Sequence, residues 1–206
     1  DMDFSLKGFI YRILIDPLIS GLRRSITSMI IPGEKVIDIA CGTGALSLTI
    51  ADRAAFVTGI DLSEDMIVTA RRMAQQRLMS NVSFELLDAT DLSLYPDNTF
   101  DTAVSTLAFH QFNPETGEKV LREMKRLSRR IIIADYNCPM QPGPAAWLAY
   151  LIEFYAGGDH YRNFRQYMAN GGLNTLAVTA GLKIVTREEK GKGVFIITLM
   201  TTEEKA

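Results

Sequence analysis

The chain has 206 residues, 47% of them apolar and 22% charged, with a formal net charge of −2 at neutral pH. That suits one domain burying roughly 70% of the surface its unfolded form exposes, and leaves too little for two full ones. The near-neutral balance excludes the basic field that nucleic-acid binding draws on. No run reaches the roughly 18 uninterrupted apolar residues of an integral membrane segment, and two cysteines without metal-pair spacing argue against a disulfide framework and for a reducing cytoplasm.

In chain order, the region through Ile31 reads as two helices broken near Asp16-Pro17, since proline fits a first helical turn and not a helix interior. Val36-Ile37-Asp38-Ile39-Ala40-Cys41-Gly42-Thr43-Gly44-Ala45-Leu46 predicts a buried strand passing through a glycine turn into a helix, the junction where open α/β folds place nucleotide-like ligands. Glycine at 42 and 44 removes side chains that would hold a ligand off the backbone. A dinucleotide fingerprint needs a third glycine where Ser47 stands, and Asp38 would repel a diphosphate. Asp38 suits an ammonium group or bound water instead.

Phe56 to Asp61 predicts a second strand ending in an acid, about 20 residues past the first turn, where a carboxylate can accept both hydroxyls of a ribose. Ser63 then caps the next helix, with Asp65 in its first turn. A third strand from Val82 closes on Asp88-Ala89, and Tyr95-Pro96-Asp97-Asn98-Thr99-Phe100-Asp101 turns into a fourth that ends in Ser105-Thr106-Leu107. Apolar runs at 35–40, 55–60, 82–87, 100–105 and 130–135 alternate with helical patterns, the signature of a parallel sheet with right-handed crossovers. Lys183 to Glu189 and Val194 to Thr201, joined across a glycine-containing link, predict an antiparallel hairpin.

His110 follows the fourth strand, where a second substrate would approach, and an imidazole there can take a proton from a hydroxyl or amine. Its competing reading is a loop residue bonded to backbone. The segment 137–172 is longer than a crossover needs and is rich in aromatics. Long inserts at strand carboxyl ends build pockets, so it is expected to form a substrate cap with the N-terminal helices, and Tyr11, Tyr150, Phe154, His160 and Tyr161 are its candidate contacts. The alternative is an aromatic stripe packed on the core.

The four strings between residues 36 and 107 together resemble the motifs of the class I S-adenosylmethionine (SAM) methyltransferases, in particular the small-molecule group that includes the quinone-biosynthesis and "type 11" enzymes. Their first motif runs acidic-x-Gly-x-Gly-x-Gly; Asp38, Gly42 and Gly44 match it and Ala40 replaces the first glycine. The resemblance implies an α/β fold: a seven-stranded Rossmann-like sheet, mostly parallel with a C-terminal antiparallel hairpin and helices on both faces. It implies one domain over 1–206, with an N-terminal helical cap at 1–31 and the inserted cap at 137–172. SAM is the implied cofactor and S-adenosylhomocysteine the product. Carried over, Asp38, Ala40, Cys41, Gly42, Thr43 and Gly44 hold the methionine end, Asp61 and Leu62 the ribose side, Met66 a face of the adenine, Asp88 and Ala89 its edge, and Ser105, Thr106 and Leu107 lie beside the sulfonium. The implied reaction is methyl transfer to a small, partly apolar molecule, mainly by proximity and in-line alignment.

Rival readings are a SAM-binding sensor or partner subunit without turnover, and a NAD-dependent oxidoreductase. Ser105-Thr106-Leu107-Ala108 lacks the proline pair of enzymes that methylate nucleic-acid amines. Asp135 and Asn137 could offer one side of a hard-cation site, but the fourth strand's end has no carboxylate, so no metal is expected.

Overall fold

The computed structural model describes residues 16–202. In chain order the elements are α1 (Asp16–Met29), β1 (Lys35–Ile39), α2 (Ala45–Ile50), β2 (Phe56–Asp61), α3 (Glu64–Gln76), β3 (Val82–Leu86), β4 (Thr102–Thr106), a 3-10 turn (Phe109–Gln111), α4 (Pro114–Leu127), β5 (Arg130–Tyr136), α5 (Pro144–Ala156), α6 (Gly158–Ala169), α7 (Gly172–Thr179), β6 (Leu182–Lys190) and β7 (Phe195–Thr202). The strands form one seven-stranded sheet in the order β3-β2-β1-β4-β5-β7-β6. β1 to β5 are parallel, with Ile37 opposite Thr58 on one side and Ala103 on the other, and β7 inserts antiparallel between β5 and β6.

The parallel strands are apolar along their length because both faces are covered by helices. Ile37, Ile39, Val104, Ile132 and Ile133 are all buried without remainder. α4 presents Val120, Leu121, Met124 and Leu127 to this core and starts at Pro114, where the side chain of Asn113 accepts from the Thr116 amide. α3 starts at Ser63, whose hydroxyl accepts from the Met66 amide, with Glu64 and Asp65 at the positive end of the helix dipole.

α1 is described from Asp16 on. The preceding helix expected from the sequence, with Phe9 and Tyr11, lies outside the described residues. Among the described residues no helix is long and apolar enough to cross a membrane. β1 has neighbours reached in opposite chain directions, so the gap between the carboxyl ends of β1 and β4 is the topological switch point where ligands bind.

Candidate functional site

Past the end of β1 the backbone turns through three left-handed residues, Ala40 (φ 55°), Gly42 (φ 54°) and Gly44 (φ 75°). Glycine adopts this region freely; an L side chain there costs roughly 1–2 kcal/mol, so Ala40 is held under strain by its surroundings. The two glycines do different work. A Cβ on Gly42 would meet no atom within 4 Å and would stand at the wall of a cavity. A Cβ on Gly44 would lie 2.5 Å from the ring of buried Phe84, and one on Gly59 would lie 2.6 Å from the same ring. Gly44, expected to admit a ligand, therefore lets the turn settle on Phe84 and does not reach the cavity.

The acids after the strands are oriented by backbone amides. Asp61 accepts from Gly42 N at 2.8 Å through Oδ2 and from Ser63 N at 2.9 Å through Oδ1, which fixes its carboxylate and leaves one lone pair on each oxygen. Asp88 accepts both bonds from Thr90 on Oδ1, and no described group bonds its Oδ2. Asp38 departs from expectation. Its carboxylate is buried, accepts from Ser47 Oγ at 2.5 Å and does not line the cavity, because alternation along β1 turns it toward α2. Burial pushes its pKa up to about 7, and burial also raises the Cys41 thiol. Ser105 likewise turns inward, donating to Ile39 O at 3.0 Å and stitching β4 to β1. Its neighbour Thr106 lines the cavity, and its Oγ1 is buried without a partner among the described residues. Ser47, standing where a dinucleotide fingerprint would need glycine, is itself buried, which disfavours that rival.

Gly42, Asp61, Asp88 and Thr106 share a cavity of about 880 Å³, near the upper end of small-molecule sites. One half is walled by Ala40, Cys41, Gly42, Thr43, Asp61, Leu62, Met66, Asp88 and Ala89. Thr106 and Leu107, at the end of β4, line the cavity as well, the latter also left-handed at φ 55°. Ile19 and Arg23 of α1 reach the wall as well.

The other half is closed by one face of α5. Ala145, Leu148, Ala149, Ile152, Glu153 and Ala156 recur at helical spacing and all line it. The aromatics of α5 point elsewhere, which corrects the sequence reading. Tyr150 and Tyr161 line a separate depression and pack edge-on to Phe164 and Phe154 respectively, while Phe154 is largely exposed. Small and aliphatic residues, and not the aromatic stripe, face the cavity. Of the expected acceptor contacts in the described residues, only His160 lines it.

His110 lines the same half and is nearly fully buried. Its Nδ1 lies 2.7 Å from Asp135 Oδ1, and its backbone amide donates to Asp135 Oδ2 at 3.3 Å. Its Nε2 stands 3.7 Å from Glu153 Oε1, which accepts from the Tyr136 hydroxyl at 2.7 Å, while Glu153 Oε2 lies 2.5 Å from His160 Nε2. Burial opposes charging the His110 ring, but the charge and hydrogen bond of Asp135, aided by Glu153, outweigh it and hold its pKa above the ordinary histidine value. The Tyr136 hydroxyl is pushed up by burial and by Glu153. Backbone bonding alone, the competing reading of His110, does not describe this cluster. Glu153 was not singled out as a site residue by sequence reasoning, although it is the lone acid in the otherwise apolar helix Pro-Ala-Ala-Trp-Leu-Ala-Tyr-Leu-Ile-Glu-Phe-Tyr-Ala.

Comparison with known proteins agrees with this architecture. The family model described as "Methyltransferase domain" matches residues 36–130. The chain is 29% identical to the ubiquinone/menaquinone biosynthesis C-methyltransferase UbiE of Burkholderia mallei, over 93% of this chain and 87% of that one. In fold it is similar to the PH0226 protein of Pyrococcus horikoshii (TM-score 0.71, 23% identity, 94% and 98% of the two chains covered). It is also similar to the magnesium protoporphyrin IX methyltransferase of Synechocystis with bound SAH (TM-score 0.68, 18% identity, 98% and 95% covered). Motifs, fold and relatives converge: the chain is similar to the class I SAM-dependent methyltransferases.

Proposed function

We propose that the two halves of the cavity hold, side by side, SAM and a small, partly apolar acceptor, and that methyl transfer runs mainly on alignment. The residues present fit the cofactor. Gly42 leaves its wall open, Asp61 offers two oriented lone pairs to vicinal hydroxyls, Asp88 keeps Oδ2 for an exocyclic amine, and the orphaned Thr106 Oγ1 awaits a polar partner. Ala40, Cys41, Thr43 and Ala89 supply backbone and small side chains to the same wall, with Leu62 and Met66 as apolar surface. Asp38, Gly44 and Ser105 support this wall from behind.

When bound, the cofactor supplies a methyl group on a sulfonium, already activated for transfer. The chain's own contribution is to bring the acceptor in line and exclude water. Residues 1–31 and 137–172 are taken as caps on a single domain, the second contributing the α5 face and His160. His110 marks the acceptor's polar end. The UbiE relatives are named for quinone biosynthesis, and a hydroxylated ring with an apolar substituent matches a pocket that is aliphatic along α5 and polar at His110.

The observation that carries this reading is the continuity of the cavity from Asp61 to His110. The experiment is transfer of labelled methyl from SAM to a panel of hydroxylated aromatics with and without alkyl chains. Turnover favouring the alkylated members is expected. S-adenosylhomocysteine binding without turnover on any member would favour a sensor or partner subunit instead.

A further inference from the structure

His110, Glu153 and His160 come from three separate segments, and one ligand atom from each lies within 4.8 Å of the others. We propose that these three side chains form a site for one divalent transition ion of the zinc class at the acceptor end of the cavity. The inference goes beyond methyl transfer and rests on that reading only for the name of the cavity's other occupant.

Four observations support it. Two imidazole nitrogens and one carboxylate are the donors of catalytic zinc and related sites, whereas magnesium and calcium demand more oxygen. The supporting bonds are in place: the His110 nitrogen facing away from the cluster is held by Asp135 at 2.7 Å, and Glu153 Oε1 accepts from Tyr136 at 2.7 Å. A carboxylate behind a histidine is the usual way a metal ligand is oriented and made more basic. The charge balance is open as well. Asp135 and Glu153 are both buried, and their ion-pair partners among the described residues are imidazoles, with no Lys or Arg. Finally, all three side chains line the cavity, so an ion there has an entry path and a position left for an acceptor oxygen.

His160 Nε2 and Glu153 Oε2 stand 2.5 Å apart. An ion about 2.0–2.2 Å from each donor would lie between them and spread the pair by up to about 1 Å. His160 can yield, because about a third of its side chain is exposed. The expectation of no metal rests on the missing carboxylate at the end of β4; this set lies instead on the 3-10 turn, α5 and α6.

The test is titration of chelator-treated full chain with Co²⁺, followed by its visible bands, and with Zn²⁺ by equilibrium dialysis. One equivalent is expected, weakened at least tenfold in His160→Ala and in Glu153→Gln, and by about 10–100-fold in Asp135→Asn. If the two buried variants do not fold, His160→Ala carries the test alone. Wild-type protein taking up less than stoichiometric metal, or His160→Ala binding it as tightly as wild type, overturns the site. S-adenosylhomocysteine calorimetry on the same metal-free samples keeps the two readings apart: retained binding with no metal uptake sinks only the metal site, and absent binding sinks the methyltransfer reading.

Discussion

Gly42 and Gly44 look equivalent in the string Cys-Gly-Thr-Gly, yet their missing side chains face opposite ways. Both have positive φ, so Ala at either is strained by roughly 1–2 kcal/mol, which for a chain of this size lowers the melting temperature by several degrees. Gly44→Ala adds a collision with Phe84 and is expected to lose the more stability. Gly42→Ala is expected to lose the more S-adenosylhomocysteine affinity, since its Cβ enters the cavity. Melting curves and calorimetry of the pair check this, and the reverse ranking would contradict the assignment.

Asp38 makes a separate residue-scale prediction. Its folded pKa is raised to about 7 from 3.8, so the native state holds this proton more tightly than the unfolded chain. The sign follows from linkage: stability from this group is fully present below about pH 4 and falls as pH rises toward 7. Asp38→Asn keeps a polar partner for Ser47 without the buried charge. It should therefore melt higher than wild type at pH 8 and lose most of that advantage at pH 5, in the absence of ligand. A difference that is flat between those pH values would show that Asp38 is already comfortably ionised.

At the scale of elements, α5 divides its faces cleanly: Ala145, Leu148, Ala149, Ile152 and Glu153 to the cavity, Trp147, Phe154 and Tyr155 to the outside. Ala149→Phe should fill the acceptor half and raise KM for the acceptor tenfold or more, with S-adenosylhomocysteine affinity little changed. Phe154→Ala, on the outer face, should leave both unchanged. Steady-state kinetics with any accepted substrate decides, and equal effects from the two substitutions would contradict the assigned faces. The division also marks where sequence reading stops. Strands β1 to β5 and the β6–β7 hairpin were legible because each buried strand and turn carries its own local pattern. The direction of Asp38 and Ser105 was not, because it depends on which helix covers which face. The inserted helices were read by their conspicuous aromatics, but Tyr150 and Tyr161 pack on Phe164 while Phe154 faces outward. Glu153 meets His110 only through tertiary contact, which no local spacing encodes.

Across the molecule, the proposed function requires that the carboxyl ends of β1, β2, β3 and β4 form a cradle for SAM beside an acceptor pocket. Asp61 is its most telling member, since two backbone bonds aim its carboxylate into the cavity. Calorimetric titration of wild type and Asp61→Ala with S-adenosylhomocysteine is the most direct measurement. One site per chain is expected, weakened in the variant by about 1.5–3 kcal/mol, or roughly tenfold to a hundredfold and more, with melting curves confirming that the variant is folded. No binding by wild type, or equal affinity in a folded Asp61→Ala, would contradict it.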